Sequence, residues 1–144
     1  MKLRKKRVLS LLLVLLILFS STCSNAAAVD DSSARASDYF VSYTANLSAP
    51  GSGQLLLSGR VRALSTMTSI GIAYFRVYLA DGTFVVTIPG STSNGLLLSN
   101  AISYNGSFTY QAVSGNRYYV VVTFICRNAN GYEYRNYTTG TVTA

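Results

Sequence analysis

Residues 117–142 read RYYVVVTFICRNANGYEYRNYTTGTV, and this stretch decides the fold. Every second residue of its first half is apolar or aromatic, namely Tyr118, Val120, Val122, Phe124 and Cys126. Alternation with a period of two is typical of a β-strand that buries one face. The Asn and Gly residues of 128–131 indicate a turn, and a segment rich in Tyr and Thr follows it. The stretch therefore predicts two consecutive antiparallel strands.

The same alternation recurs upstream of this stretch. Apolar faces repeat over 39–47, 55–63, 75–79, 84–88 and 102–113, with Gly, Asn, Ser, Asp or Pro between them. Residues 90–100 are compatible with either a loop or a short edge strand. No convincing helical period occurs in this part of the chain. We predict an all-β fold over 38–144: a single antiparallel two-sheet β-sandwich of about seven strands.

The N-terminus has the pattern of a secretory signal peptide. A basic head, Lys2–Arg7, precedes the apolar run Val8–Phe19, and the small residues Ala26–Ala28 follow. As a helix, this apolar run spans about 18 Å, which is short of the roughly 30 Å hydrocarbon core of a bilayer. We expect 1–28 to be a signal-peptide helix that touches the membrane only before cleavage, 29–37 to be a flexible lead-in, and the mature protein to be secreted. The alternative is a lipid anchor at Cys23.

Charge gives no support to nucleic-acid binding. The formal net charge is +7, but five of the twelve Lys and Arg residues lie within the first seven positions. Beyond that head, seven Arg face five Asp and Glu, so the rest of the chain is close to neutral. A nucleic-acid-binding domain needs a basic patch on its folded part.

The residue inventory argues against catalysis. The chain has no His, and it has no Lys after residue 7, so a nucleophile would lack its usual base. Cys126 lies on the apolar face and is expected to pack as a small hydrophobic residue. Asp81 and Glu133 are expected to be a turn former and a solvated strand charge rather than a glycosidase pair. Near the flexible start, Asp30, Asp31 and Asp38 lack the ligand spacing of a calcium site. We predict a protein that is not an enzyme and that has no metal or cofactor.

Tyrosine supplies the candidate binding surface. Among the eleven Tyr residues, Tyr132 and Tyr134 share one face of the last strand, and Tyr119 lies opposite the core face of its own strand. With Arg127 and Arg135 beside them, these rings could stack on sugars or on peptide planes. The open alternative is that such cross-strand pairs only stabilise a solvated sheet.

The resulting hypothesis is a secreted surface interaction or binding module whose partner is a cell-wall glycan or a surface protein. A structural or accessory domain without its own ligand is the first alternative, and a glycan hydrolase is a less favoured one. Because Tyr118–Cys126 carries few charges, we also expect that strands of this kind could associate through their edges.

Two resemblances add to this interpretation. Residues 117–142 resemble the last two strands of a fibronectin type III-like or immunoglobulin-like domain, whose Tyr-x-apolar-x-Val-x-Ala run corresponds to Tyr118, Val120, Val122 and Phe124. The whole chain is similar to a family of small secreted proteins of Gram-positive bacteria, a domain of unknown function. This second resemblance is carried by the signal segment 1–28 and by Ser37–Tyr43, Leu64–Gly71, Arg117–Tyr119, Tyr137–Thr139 and Thr141–Ala144. This family implies bacterial export and supplies no activity.

Overall fold

The structure, a computed structural model, describes residues 37–144, and every regular element in this range is a β-strand. The nine strands are β1 (Phe40–Gly51), β2 (Gln54–Met67), β3 (Ser69–Leu79), β4 (Phe84–Pro89), β5 (Leu97–Leu98), β6 (Ala101–Gln111), β7 (Arg117–Asn128), β8 (Gly131–Thr138) and β9 (Val142–Thr143). Seven of them have six or more residues, as predicted, and β5 and β9 are two-residue additions. The predicted signal-peptide helix, Cys23 and residues 29–36 of the predicted lead-in lie outside the described range.

The strands form two antiparallel sheets, which confirms the predicted sandwich. The three-stranded sheet has the order β1-β2-β6. The six-stranded sheet has the order β4-β3-β7-β8, with β5 paired to the start of β3 and β9 to the start of β7. An all-β fold of this kind is compatible with the immunoglobulin-like and fibronectin type III-like resemblance. Within residues 37–144, no helix is long and apolar enough to cross a membrane.

The chain passes from one sheet to the other at a single residue, Thr68. Its Oγ1 donates a 3.0 Å hydrogen bond to the carbonyl of Arg127, while Met67, just before it, is fully buried between the sheets. Two long strands therefore follow each other with almost no loop. The sequence pattern covered only 55–63 and 75–79 here, because alternation is interrupted where a strand changes sheet.

The core lies between the inner faces of the two sheets. The predicted set on β7 is fully or almost fully buried, and it packs against inner-face residues of β2 and β3. The largest fully buried side chains of these three strands are Leu55, Leu57, Met67, Ile70, Ile72, Phe75 and Phe124. Cys126 is a buried free cysteine. The sandwich described here thus holds together by apolar burial without an internal disulfide.

The edge-association hypothesis is wrong for the strand that suggested it. β7 is an interior strand, since it pairs with β3 on one side and with β8 and β9 on the other. Its low charge follows from this position, because a strand with neighbours on both sides has no free backbone edge to protect.

Glu133 also differs from the expectation of a solvated charge. Its carboxylate forms an ion pair with Arg135 and accepts hydrogen bonds from Ser37 Oγ (2.7 Å) and from the Tyr39 backbone N–H (3.2 Å). These bonds fasten the chain entering β1 to the edge strand β8. The sequence shows the charge of Glu133, but its hydrogen-bond donors Ser37 and Tyr39 lie more than ninety residues away, beyond the reach of a local pattern.

Candidate functional site

The outer face of the six-stranded sheet carries the candidate site, and its side chains come from the positions that alternate with the core. On β7, Tyr119 and Arg127 lie on this face because Tyr118 and Cys126 point inward. The cross-strand register then aligns outward residues of β3, β4 and β8 with them. We call this surface the aromatic face; its aromatic and charged members are Tyr74, Arg76, Tyr78, Phe84, Tyr119, Arg127, Tyr132 and Tyr134.

One end of the aromatic face is formed by Tyr132, Tyr134 and Arg127. Tyr132 lies opposite Arg127 in the register, and the Arg127 guanidinium sits 5.5 Å from the centre of the Tyr132 ring. The rings of Tyr132 and Tyr134 meet edge to face at 5.3 Å. Tyr132 is 59% exposed and Tyr134 is 44% exposed. These rings are therefore held by their neighbours while a large part of each stays open to a ligand, which lowers the entropy cost of binding.

The other end is formed by Tyr78, Phe84 and Tyr119. Tyr78 and Tyr119 stack almost in parallel, with ring centres 5.2 Å apart, and Phe84 meets Tyr78 edge to face at 5.8 Å. Phe84 is the most open of the three at 54% exposure. Along β7, the eight steps from Tyr119 to Arg127 span roughly 26 Å at about 3.3 Å per residue. The aromatic face is thus long enough to contact several units of a linear polymer.

Arginine and hydroxyl groups occupy the middle of the aromatic face. The Arg76 guanidinium lies 5.0 Å from the centre of the Tyr74 ring, in a second cation–π contact. Thr123 Oγ1 donates a 2.8 Å hydrogen bond to Asn136 Oδ1 on β8. Glu133 is the one acidic residue in any strand of the described range, and it belongs to the opposite side of β8. The aromatic face therefore offers donors from Arg76 and Arg127 without a neighbouring strand carboxylate.

The structure brings four of the five predicted site residues onto one face. Tyr119, Tyr132, Tyr134 and Arg127 lie on the aromatic face, although Tyr119 is at the far end from the other three. Arg135 does not join them: it alternates with Tyr134, lies on the inner side of β8 and pairs with Glu133. On a β-strand, residues two apart point to the same face, whereas adjacent residues point to opposite faces. Arg135 is adjacent to Tyr134 and therefore cannot share a surface with it.

Sequence reasoning did not include Tyr74, Arg76, Tyr78 and Phe84 in the site. A signal for three of them was present, since Tyr74, Arg76 and Tyr78 alternate with the apolar positions of 75–79. What the pattern could not provide is the strand order, which places β3 and β4 directly beside β7.

The outer face of the three-stranded sheet has a different chemical character. It holds an open depression of about 360 Å³ lined by Thr44, Ala45, Asn46, Ser58 and Arg60. This lining is mostly polar and has no aromatic ring. Stacking surfaces are therefore concentrated on the aromatic face.

The geometry excludes the two-carboxylate pair that a glycosidase would need from Asp81 and Glu133. Asp81 lies in the turn after β3, where Ala80 N–H bonds to the carbonyl of Arg117, whereas Glu133 pairs with Cys126 near the other end of β7. The nine steps along β7 from Arg117 to Cys126 span roughly 30 Å, and paired carboxylates must lie within about 5 to 9.5 Å. Asp81 instead accepts a 2.8 Å hydrogen bond from the Thr83 N–H, which lowers its pKa.

Buried Cys126 and buried Tyr104 are the titratable groups whose ionisation the fold most opposes. Burial raises the pKa of the Cys126 thiol to about 12, with a smaller contribution from the charge of Glu133. Burial likewise raises the pKa of Tyr104 to about 12. Both groups are therefore neutral near pH 7, and Cys126 is not activated as a nucleophile. No three His, Cys, Asp or Glu residues in the part of the chain that the structure describes come together as a metal site.

Comparison with known proteins supplies no relative. No protein-family model matches the chain, and searches of curated proteins and of solved structures gave no significant match.

Proposed function

We propose that this protein is an exported, non-catalytic binding module that holds a glycan of the bacterial cell surface against its aromatic face. The observation that carries the proposal is the arrangement of Tyr132 and Tyr134 with Arg127: two rings, each close to half exposed or more, fixed by one another and by a guanidinium. An exposed aromatic cluster on a soluble domain is typical of an interaction site. Its rigidity means that little side-chain freedom is lost when a ligand binds.

A glycan suits this surface better than a flat hydrophobic partner does. Sugar rings combine apolar C–H faces, which pack on aromatic rings, with hydroxyl groups, which accept hydrogen bonds from Arg. The aromatic face carries groups that match both features of a sugar. Aromatic rings and guanidinium groups follow one another along its length, from Phe84 and Tyr78 through Arg76 to Arg127 and Tyr132. A surface protein that presents peptide planes is the second partner this chemistry would accept.

Export is part of the proposal and rests on sequence. The basic head, short apolar run and alanine cluster of 1–28 support secretion, with lipidation at Cys23 as the alternative form of attachment to the cell. The resemblance to small secreted proteins of Gram-positive bacteria supports the same compartment. The resemblance to fibronectin type III-like domains is consistent with a role in binding rather than in catalysis.

The competing hypothesis is a structural or accessory domain without a ligand. On that view, the contacts within the aromatic face only stabilise a solvated sheet. The two hypotheses differ in the expected effect of removing the exposed rings: loss of binding in one case, and a change of stability alone in the other. A glycan hydrolase is a weaker alternative, since Asp81 and Glu133 are far apart.

The test is binding of the exported protein to a glycan array and to purified cell walls. We expect binding by the wild type, a reduction of roughly tenfold or more in affinity for Y132A/Y134A because two stacking contacts are lost, and a smaller loss for R127A. The matched control is R60A/R62A, which removes two exposed charges from the opposite outer face. Thermal unfolding of each variant separates lost binding from lost folding. No binding to any glycan or wall, or equal binding by wild type and Y132A/Y134A, would refute the proposal.

A further inference from the structure

We infer that β6 is an association edge, through which two copies of this chain pair their three-stranded sheets into one continuous sheet. The inference rests on the four free edges of the sandwich and is independent of the proposed function. β6 has β2 on one side, and no strand in residues 37–144 pairs with its other side. An unpaired edge is a template for another strand unless the protein blocks it.

The other three edges, whose main strands are β1, β4 and β8, carry features that limit pairing. β1 contains Pro50 and has irregular register at both ends. β4 has only six residues, ends at Pro89 and has a register shift beside Tyr78. β8 carries the charges Glu133 and Arg135. Proline, short length, irregular register and charge are the devices by which proteins protect their edges.

β6 has none of these devices over most of its length. Its sequence, AISYNGSFTYQ, contains neither charge nor proline. It pairs with β2 without interruption from Ser103 to Gln111, and its one register shift lies before Ser103. The outward side chains of this regular part are all exposed, polar and uncharged: Ser103, Asn105, Ser107, Thr109 and Gln111.

The same residues supply the free backbone groups. Ala112 N–H bonds to the Gly53 carbonyl at 2.8 Å, one step beyond the Gln54–Gln111 pair. In an antiparallel ladder, the residues that bond to a given neighbour alternate along the strand. The even-numbered residues of β6 therefore bond to β2, and the odd-numbered residues 103–111 direct their N–H and C=O groups to the open side.

A second copy of the chain fits this edge because the edge is neutral and self-complementary. Two identical strands related by a two-fold axis run antiparallel, so each presents the same donors and acceptors to the other. Short Ser, Asn and Thr side chains would then face one another without like-charge repulsion. The nearest charges, Arg60 and Arg62, lie on β2, so the two β2 strands would be about 14 Å apart, three strand spacings of about 4.8 Å, beyond the roughly 8 Å screening length of physiological salt. Nine paired residues form a small contact, so the dimer is expected to depend on concentration.

The test is sedimentation equilibrium of the exported protein, expressed from the complete sequence in an exporting host and recovered from the medium, over a wide concentration range. We expect a monomer–dimer equilibrium in the wild type. N105K/S107K places like charges across the paired edges and should weaken dimerisation by roughly tenfold or more. The matched control is T44K/N46K, which adds the same charges to the exposed face of β1, the other edge of the same sheet. This variant should dimerise like the wild type.

Hydrogen exchange gives an independent measurement at the edge itself. The amides of Ser103, Asn105, Ser107 and Thr109 should become protected as concentration rises, and those of β1 should not. A strict monomer at the highest concentration overturns the inference. So does a dimer that N105K/S107K leaves intact, or one that both lysine pairs dissolve equally.

Discussion

Tyr104 and Tyr118 are both buried on inner strand faces, and they differ in what their hydroxyl groups meet. The Tyr118 hydroxyl accepts a hydrogen bond from the Val113 N–H at 3.2 Å and lies 3.4 Å from the Val113 carbonyl. The Tyr104 hydroxyl is buried against Gly106 and has no hydrogen-bond partner among the described residues. A buried polar group without a partner costs free energy, whereas a partnered one contributes to stability.

Replacing each tyrosine by phenylalanine should therefore have opposite effects. Y104F removes a desolvated hydroxyl that makes no bond, so we expect the free energy of unfolding to stay the same or to rise by up to about 1 kcal/mol. Y118F leaves the Val113 backbone groups without their partner and should lower it by about 1 kcal/mol. Urea unfolding of both variants measures the difference. A larger loss for Y104F than for Y118F would mean that the Tyr104 hydroxyl is bonded in solution.

At the scale of the element, the start of β3 depends on one glycine. Gly71 has φ +141, and a Cβ placed there would lie 2.3 Å from the Leu96 carbonyl oxygen and 3.1 Å from the Tyr104 ring. This close approach lets the loop before β5 fold onto β3, where Ile72 N–H bonds to the Leu96 carbonyl at 2.7 Å. Leu96 itself is fully buried. The glycine thus closes the sandwich at a point where no side chain has room.

Gly71→Ala should destabilise the fold by about 2 kcal/mol or more, because steric overlap and an unfavourable φ act together. Gly140→Ala is the control: a Cβ at that position meets nothing within 4 Å, and its φ is not in the left-handed region. The expected result is a clear drop in melting temperature for the first variant and almost none for the second. Equal melting temperatures would show that the loop after β4 can shift to make room.

The same elements show how far sequence alone could lead. Strands with a clean period of two, such as β2 and β7, were predicted within a few residues, because each buries one face along its regular part. The strand predicted after the 128–131 turn is instead split into β8 and β9 by residues 139–141. Thr139 turns inward there, and its Oγ1 accepts a 3.0 Å hydrogen bond from the Val120 N–H. Such a bond depends on a distant partner, as does the Glu133 network, and local alternation carries no information about either.

Glu133 allows the anchoring of β1 to be tested. Glu133→Gln removes the charge that Arg135 pairs with and weakens the bonds from Ser37 and Tyr39, while the size of the side chain stays the same. We expect a loss of about 1 kcal/mol in the free energy of unfolding. Hydrogen exchange should become faster at Leu64, whose N–H bonds to the Tyr39 carbonyl at 2.9 Å. Exchange that stays as slow as in the wild type would place the anchoring of β1 elsewhere.

Across the whole molecule, the outer faces of the two sheets present different chemical groups. The six-stranded sheet presents rings and guanidinium groups, and the three-stranded sheet presents hydroxyl and amide groups around Arg60 and Arg62. A single apolar core between them must supply the stability of both, since the one cysteine in the described range is free. Anything that ionises within that core therefore acts on the whole fold rather than on one strand.

Alkaline pH tests this effect of ionisation on the fold, because it ionises Tyr104 and Cys126 within the core. Their pKa values rise on folding from ordinary values of 10.0 and 9.0 to about 12 in each case, so both groups favour the fold in their neutral form. The stability that the two neutral groups contribute to the fold is fully present below about pH 9. It is lost as pH rises toward 12, with a slope of up to about 1.4 kcal/mol per pH unit for each group. Urea unfolding at a series of pH values should show this decline in the wild type and a flatter profile in C126A/Y104F, whatever the stability of that variant at pH 7. Parallel profiles for the two proteins would mean that these groups ionise in the folded state as readily as in the unfolded chain, and that the core around them admits water.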